Sequence, residues 1–325
     1  MARLSRVCTA IVDCLYNREV SEQERPQTTL NPDAGYVRIG ELARRTGVSP
    51  ELLRAWEQRY GLLRPTRTAG GFRLYSAADE ARVRRMQRHV SDGLAAAQAA
   101  QLILSGEPVE TTAPPAAALL DDEADNLADS LDGLDEQAAN SALDRLFSAY
   151  TVEAVLQRVV IPYLQRLGQR WETGEVSIAQ EHFASNLIRG RLLGLAQGWG
   201  QGRGPAAVLA CLPGEQHELG LLVFGVALRR RGWRITYLGT NSPIDAVAHV
   251  TRSLLPAAVV LFSVDPGNFS GHAPEIAQLA EQAQVLLAGA GATPEIARRT
   301  QTHVLDQDPV SAAELVGDGQ AGPDR

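Results

Sequence analysis

A histidine that lies two residues after a glutamate is the pair in this chain best suited to chemistry. Glu215 and His217 follow an apolar run, residues 206–212, and precede a segment with a helical pattern. This context places the imidazole at the carboxyl end of a parallel strand, where open α/β sheets bind ligands. An exposed histidine there can bind a metal ion, and the neighbouring carboxylate can fix its tautomer. The sequence therefore predicts that His217 is a metal ligand.

Three further residues suited to ligand binding lie upstream. Trp171 is followed, after nine residues, by Glu181 and His182. Ser177 and Gln180 have the spacing of a capping box, which predicts that a helix begins near residue 178. At 3.6 residues per turn, four polar side chains of this helix share one face. They are Glu181, His182, Ser185 and Arg189. Such a stripe indicates either a polar cavity or a solvated surface.

The elements after residue 204 bring later residues to the same place. Apolar runs alternate with helical patterns, which is typical of a parallel sheet with right-handed crossovers. The runs are residues 206–212, 235–238, 257–264 and 285–288, with a weaker fifth near Val304. Ser263 ends the third run, and Gly289 and Gly291 follow the fourth. We expect all three residues at the edge of the sheet that holds His217.

The charge of the chain is unevenly distributed. Residues 36–90 contain twelve Arg and five Asp or Glu, a net charge of +7. Residues 91–325 contain fifteen Arg and twenty-eight acidic residues, a net charge of -13. A small basic module joined to an acidic body indicates that the module alone binds a polyanion.

The basic module has the pattern of two helices followed by a hairpin. Gly47 marks a turn after the first helix, Ser49 is suited to cap the second, and Gly70-Gly71 suits a hairpin turn. A helix that enters the major groove needs side chains for base edges and phosphates. The candidate DNA-contacting residues are Arg54, Trp56, Arg59, Tyr60, Arg67, Arg73 and Tyr75.

Length and composition predict a multidomain protein. A chain of 325 residues favours two or three domains. We assign residues 1–35 to a partly disordered extension, 36–105 to the basic module, 106–125 to a linker, 126–203 to a four-helix bundle, 204–317 to an α/β domain and 318–325 to a loose tail. The bundle has breaks near Gly133, Thr151 and Gly174.

The cysteines and the apolar runs bear on the compartment. No apolar run approaches the ~20 residues that a membrane-spanning helix needs, and we recognise no signal peptide. Cys8, Cys14 and Cys211 are too few and too scattered for a disulfide framework, which favours a reducing cytoplasm. Zinc is disfavoured because no Cys or His pair has ligand spacing.

Residues 36–105 resemble the winged helix-turn-helix of the MerR family through the helix pair and the wing. Trp56 stands where a Tyr is commoner in that family. The resemblance implies a dimer that binds double-stranded DNA, with phosphate contacts setting affinity and a few base contacts setting sequence. The alternative is an arginine-rich, solvated helical domain.

The pattern Glu215-x-His217-x-x-Gly220 is similar to the Asp-x-His-x-x-Gly pattern of cobalamin-binding domains. The resemblance implies a Rossmann-like, doubly wound parallel sheet in which His217 is the lower axial ligand of cobalt and Glu215 supports the imidazole. It also implies cofactor-binding roles for Gly220, Ser263, Gly289 and Gly291. Glu215 stands where Asp is commoner, and Ala290 splits the usual glycine pair.

Trp171, Glu181 and His182 resemble the signature of CarH-type photoreceptors, which are MerR-like repressors that carry adenosylcobalamin. The resemblance implies that the indole lies against the adenosyl group, with the glutamate and the histidine flanking it. It further implies a tetramer that binds DNA in the dark and comes apart when light cleaves the cobalt–carbon bond. Glu172 departs from members that have a histidine directly after the tryptophan.

Three functions follow from these resemblances. The first is a light-responsive transcriptional regulator that acts as a repressor. The second is a regulator of the same fold that responds to cobalamin without photochemistry, or that binds no cofactor. The third is a corrinoid carrier or methyl-transfer enzyme, which the basic module and the lack of a further substrate-binding region disfavour.

Overall fold

The computed structural model describes residues 36–68, 71–105 and 116–319, and the chain divides between Val83 and Arg84 into two compact units. The first unit begins with the helices α1 (Ile39–Thr46) and α2 (Pro50–Tyr60). Gly47 ends α1 with a φ of 70°, a left-handed conformation that glycine adopts without strain. The Ser49 hydroxyl caps α2 by accepting a hydrogen bond from the Leu52 amide. The predicted helix pair and its turn are therefore confirmed.

A short wing follows α2. Its antiparallel strands are β1 (Thr66–Arg67) and β2 (Arg73–Leu74). Gly71 has a φ of 79°, as a tight turn requires, and residues 69–70 lie outside the described residues. The extension that we predicted at residues 1–35 also lies outside them.

The helix α3 (Ala77–Ser91) begins in the first unit and continues into the second. The turn after α3 is tied to the helices that follow. The Gly93 carbonyl accepts a hydrogen bond of 2.8 Å from the Thr151 amide, and the Ala95 amide donates one of 2.9 Å to the Ala149 carbonyl. These bonds explain why the two units divide within α3 and not in the segment 106–125.

The second unit begins with a set of helices whose breaks lie where the sequence predicts them. The helices are α4 (Ala96–Leu104), α5 (Ala116–Asp132), α6 (Glu136–Ala149), α7 (Val152–Val155), α8 (Ile161–Glu172) and α9 (Ile178–Leu195). The predicted capping box of Ser177 and Gln180 is present at the start of α9. Because α7 and α8 are continuous, the described residues between 116 and 195 form four helices, and the four-helix prediction is confirmed.

The assignment of residues 106–125 to a linker is corrected by α5, which begins at Ala116. The acidic run in this segment suggested a linker, but it lies on the outer face of a helix. Leu120, Leu127 and Leu131 have the spacing of one helical face and are fully buried. Residues 106–115 lie outside the described residues.

One wide turn, Leu156–Val160, joins α7 to α8. In it the Ile161 amide donates to the Leu156 carbonyl, five residues earlier, and the helix thus contains one additional residue. Pro162 follows directly and has no amide proton for a regular helical bond. The helix then continues to Trp171.

The rest of the second unit is a parallel sheet with helices on both faces, as predicted. Its strands are β3 (Ala206–Cys211), β4 (Arg234–Gly239), β5 (Ala258–Phe262), β6 (Val285–Ala288) and β7 (His303–Val304). Its helices are α10 (Leu219–Arg230), α11 (Ile244–Leu254), α12 (Pro266–Gly271), α13 (Ala273–Ala280), α14 (Pro294–Thr300) and α15 (Pro309–Gly317). The strand order is β4-β3-β5-β6-β7, and every pair is parallel.

This order places a ligand-binding crevice between β3 and β5. The chain passes from β3 outward to β4 and then returns to the other side of β3 to form β5. The connections leave the carboxyl ends of β3 and β5 in opposite directions, and ligands bind at such a point. Strand residues such as Val208, Val259 and Leu287 are fully buried and form the core below the crevice.

Among the described residues, even the most apolar long helix falls short of what a bilayer span requires. The predicted tail, residues 318–325, lies largely outside the described residues.

Candidate functional site

Glu215 and His217 lie together at the carboxyl edge of the sheet, in the loop between β3 and α10. Nδ1 of His217 is 2.7 Å from Oε1 of Glu215, which also accepts a hydrogen bond of 2.8 Å from the His217 amide. The Glu215 side chain is 4% exposed, whereas that of His217 is 73% exposed. A carboxylate that accepts the Nδ1 proton leaves the Nε2 lone pair available to a ligand. This is the arrangement that a metal-binding histidine needs.

The second oxygen of Glu215 is bound by the end of β5. Oε2 accepts a hydrogen bond of 2.9 Å from the Ser263 hydroxyl and one of 2.7 Å from the Val264 amide. Burial alone would raise the pKa of Glu215, but hydrogen bonds from the His217 and Val264 amides, from Ser263 and from the imidazole lower it. The carboxylate is therefore ionised and fixed. In this structure Ser263 orients Glu215, which in turn orients His217.

The glycines after β6 allow two loops to approach each other. A Cβ on Gly289, whose φ is +95°, would lie 2.4 Å from the Ser263 carbonyl oxygen. A Cβ on Gly291 would lie 2.6 Å from the Asp265 carbonyl carbon. Both positions require glycine, and Ala290 between them does not prevent the approach. A Cβ on Gly220 would make an ordinary contact of 3.4 Å with the Phe262 ring.

The helical residues of the predicted site lie opposite. Trp171 lies at the end of α8 and is 51% exposed. Glu181 accepts a hydrogen bond of 2.6 Å from Ser185, one turn later on α9. The His182 ring is exposed, with Nε2 3.6 Å from Oε2 of Glu181. We call these residues, with Arg189, the bundle wall.

A cavity of about 1350 Å³ separates the bundle wall from the sheet. It is larger than the ~300–1,000 Å³ typical of pockets for small ligands. The facing surface, which we call the sheet wall, is formed by His217, Glu218, Gly220, Phe262 and Gly289. Glu215, Ser263 and Gly291 are not among the cavity-lining residues and support the sheet wall from behind. The stripe on α9 thus lines a cavity, which decides between the two readings of its sequence.

Glu218 and Tyr237 are site residues that the sequence did not reveal. Glu218 is buried and accepts hydrogen bonds from Nε of Arg189 on α9 and from the Tyr237 hydroxyl on β4. The hydrogen bond with Glu218 raises the pKa of Arg189. Burial and then the Glu218 carboxylate raise the pKa of Tyr237. The sequence showed an acidic residue, Glu218, next to His217, and a polar stripe that contains Arg189. It did not show that Glu218 and Arg189 contact each other.

Cys211, at the end of β3, is a buried residue, in agreement with the sequence. Burial raises the pKa of its thiol to about 12. Among the described residues, no group of three or more His, Cys, Asp or Glu side chains could hold a metal ion.

The predicted DNA-contacting residues fall into two groups. Arg54, Arg59, Arg67 and Arg73 are exposed, and Tyr60 is half-buried. Trp56 is 6% exposed and Tyr75 is fully buried, so the prediction that these two aromatic residues face DNA is wrong. The Tyr75 hydroxyl instead donates a 2.8 Å hydrogen bond to Glu57, and Arg73 donates one of 2.9 Å to the same carboxylate.

Phe72, in the wing, was missed by the sequence prediction. It is exposed, and the Arg38 guanidinium lies 4.7 Å from the centre of its ring. This cation–π contact places one more arginine beside the wing.

Three family models match successive parts of the chain. Residues 37–105 match the MerR HTH family regulatory protein model, and residues 123–193 and 205–313 match two B12 binding domain models. The matches cover the helix-turn-helix, the bundle and the sheet, in that order.

A solved structure with the same fold is the monomethylamine corrinoid protein of Methanosarcina barkeri. Its TM-score is 0.52 at 14% sequence identity, and the match covers 61% of this chain and 99% of that chain. At this identity the likeness shows the fold alone.

Curated relatives match over most of the chain. The HTH-type transcriptional repressor CarH of Myxococcus xanthus is 35% identical over 234 residues, which are 70% of this chain and 78% of that protein. The HTH-type transcriptional repressor CarA of the same organism is 34% identical over 266 residues, which are 79% of this chain and 87% of that protein. These relatives are repressors, and the third function, that of an enzyme, is set aside. The chain therefore belongs to the CarH-type family of transcriptional repressors, in which a MerR-type helix-turn-helix is joined to B12 binding domains.

Proposed function

We propose that this repressor binds adenosylcobalamin and DNA in the dark and releases DNA when light cleaves the cobalt–carbon bond. The observation that carries the proposal is the exposed His217 imidazole, held at Nδ1 by a buried carboxylate and facing a cavity of about 1350 Å³. A single well-oriented imidazole would suit a metal that the cofactor itself carries. The cavity is larger than the pockets typical of small ligands, which favours a bulky organic cofactor.

The residues of the sheet wall would bind the lower face of the cofactor. His217 would hold the metal through Nε2, while Glu215 would hold the Nδ1 proton. Ser263 and the Val264 amide would keep the carboxylate in place, so that the imidazole stays oriented without the cofactor.

The residues of the bundle wall would cover the upper face. The Trp171 indole offers a flat apolar surface on which an adenine can pack and from which water is excluded. Glu181 and His182 offer polar groups for the ribose. Adenosylcobalamin supplies, when bound, a cobalt–carbon bond that visible light breaks.

Loss of the upper ligand would remove the contacts of Trp171, Glu181 and His182. A ligand that stabilises one arrangement of a protein can control its assembly in this way. We infer that the bundle wall is completed by the ligand, and that a dark tetramer built from DNA-binding dimers depends on it. The exposed arginines of the wing and of α2 would then bind the phosphates of a double-stranded operator.

One residue, Glu172, leaves room for a second function. Glu172 is exposed and stands where some members of the family have a histidine. In the second function the protein responds to cobalamin only as a chemical signal, or binds no cofactor, and its DNA binding is independent of light.

An absorption spectrum separates the two functions. The protein is mixed with adenosylcobalamin in darkness, desalted, and recorded before and after green light. Binding to a duplex selected from a random library by the dark, loaded protein is measured in parallel. We expect a coloured protein whose spectrum and DNA binding both change with light. DNA binding that needs the cofactor but ignores light would favour the second function, and a colourless desalted protein would contradict both.

A further inference from the structure

Glu218, the residue after the proposed cobalt ligand, has a buried carboxylate that does not cap its own helix. It is the N-cap residue of α10, yet its side chain accepts no hydrogen bond from the α10 amides. The carboxylate instead accepts from Arg189 on α9 and from Tyr237 on β4. A buried charge needs such partners, because an unpaired one is costly. Glu218 thus joins the bundle to the sheet at the base of the cavity.

The sheet partner of Glu218 is firmly held. The Tyr237 ring packs edge-to-face against Trp199, with centroids 5.9 Å apart and an interplanar angle of 86°. Trp199 is buried in turn against Gly225, where a Cβ would lie 2.6 Å from the indole. The Tyr237 hydroxyl is therefore fixed relative to the sheet. Arg189, which belongs to the bundle, is the partner of Glu218 that lies outside the sheet.

Other side-chain contacts between the bundle and the α/β domain are of a different kind. Arg230 donates a 2.6 Å hydrogen bond to Glu153, and Gln157 donates one of 3.3 Å to Asp308. These contacts are solvent-exposed, and exposed pairs contribute little. Neither is near the His217 loop in sequence. The contact of Arg189 with Glu218 differs because its carboxylate is buried and adjoins His217 in the chain.

We infer that Arg189 is a positioning residue, which holds the His217 loop through Glu218 and so couples the position of the bundle to that of the axial imidazole. The inference deepens the proposed function and rests on it. The coupling is reciprocal: withdrawal of the bundle loosens the loop, and a fixed imidazole favours the closed bundle. Departure of the upper ligand would then also weaken the lower attachment of the cofactor.

Amide hydrogen exchange of the cofactor-free protein tests the coupling directly. In Arg189→Met, we expect peptides covering residues 213–220 to exchange about tenfold faster than in the wild type, a value within the usual range for coupled sites. Arg191→Met is the matched control, because Arg191 pairs with Asp144 at 2.7 Å inside the bundle. Arg189→Lys should recover most of the protection. Equal exchange in wild type and Arg189→Met, or equal acceleration in the control, would overturn the inference.

Adenosylcobalamin affinity in the dark provides the second readout. Arg189→Met should weaken binding by about tenfold in the wild-type background and leave it nearly unchanged in His217→Ala, because Arg189 acts through His217. Equal losses in both backgrounds would mean that Arg189 contacts the cofactor independently, and would contradict the coupling. A wild-type protein that binds no adenosylcobalamin would refute the proposed function, while the exchange experiment would still decide whether Arg189 controls the loop.

Discussion

The sheet wall and the bundle wall face the same cavity but are built differently. Behind the sheet wall, each oxygen of Glu215 accepts hydrogen bonds, and this carboxylate, itself held by the end of β5, orients His217 on the wall. On the bundle wall, Trp171 and His182 are largely exposed, and Glu181 is bonded to its helical neighbour Ser185. A preorganised surface binds at low entropic cost, whereas an open one gains its contacts from the ligand. Under the proposed function, the sheet wall would confer affinity for the cofactor and the bundle wall would confer the response to light.

The largest expected effect is that of His217→Ala. Because the substitution removes one hydrogen bond to the buried Glu215 carboxylate and leaves its other hydrogen bonds in place, the free energy of unfolding should fall by only about 1 kcal/mol. Affinity for adenosylcobalamin should nevertheless fall by more than the ~10–100-fold that loss of a residue supporting a metal ligand causes. A spectrophotometric titration in the dark measures the affinity. If the absorbance of the complex and the affinity for adenosylcobalamin were unchanged in His217→Ala, His217 would not be a ligand of the metal.

Glu215→Gln should combine both kinds of effect. The substitution removes the acceptor for the imidazole proton, and affinity should fall by about 10–100-fold. It also disturbs hydrogen bonds from Ser263 and Val264, at a cost of about 1–3 kcal/mol in the free energy of unfolding. Chemical denaturation of the cofactor-free protein measures that cost. Glu215→Asp is the matched control, since it keeps the charge, and loss of stability without loss of affinity in Glu215→Gln would contradict the supporting role.

Trp171→Ala should affect the loaded protein alone. The indole is half exposed without a ligand, and the stability of the cofactor-free protein should change little. Loss of an aromatic contact worth about 0.5–1.5 kcal/mol predicts a twofold to tenfold weaker dark complex. The dark assembly should also become smaller in gel filtration. Elution identical to that of the loaded wild type would show that the indole does not cover the ligand.

The DNA-binding module also contains both hydrogen-bonded buried side chains and exposed ones, and the smallest effects are expected there. Arg59→Ala should reduce the slope of DNA affinity against salt concentration by about one unit, because one phosphate contact is lost. Tyr75→Phe should leave this slope unchanged and instead lower stability, because it removes the hydrogen bond to the buried side of Glu57. Titrations at several salt concentrations measure the slope. If Tyr75→Phe changed the slope of DNA affinity against salt concentration, Tyr75 would contact DNA after all.

Periodic features of this fold could be predicted from the sequence. Buried parallel strands appear as apolar runs, and helix breaks appear as Gly133, Thr151 and Gly174, because each is a local property. That Glu215 and Ser263 lie at one edge of the sheet could be predicted because the carboxyl ends of neighbouring strands must meet. The resemblance to cobalamin-binding domains implied that Ser263 binds the cofactor, and did not show that it orients Glu215. Their geometry is what the structure adds.

Features that depend on distant contacts could not be predicted. The sequence does not show that Trp56 and Tyr75 are buried, because both are amphipathic aromatics that suit a core or an interface. The start of α5 was missed since acidic residues dominate a segment whose leucines form a narrow stripe. The link from Arg189 through Glu218 to Tyr237 joins three elements far apart in the chain, and no local pattern marks it.

The wide turn at Leu156–Val160 determines which way the later side chains of the same helix point. Each residue advances an α-helix by about 100°, so one additional residue rotates the remainder by that amount. Excising one residue from this turn would regularise the hydrogen bonding and swing the indole by roughly a quarter of a revolution away from the cavity. The direction in which the Trp171 side chain points is thus determined by the wide turn, more than two helical turns earlier in the chain. A change in that turn could redirect the indole without replacing any residue of the ligand site.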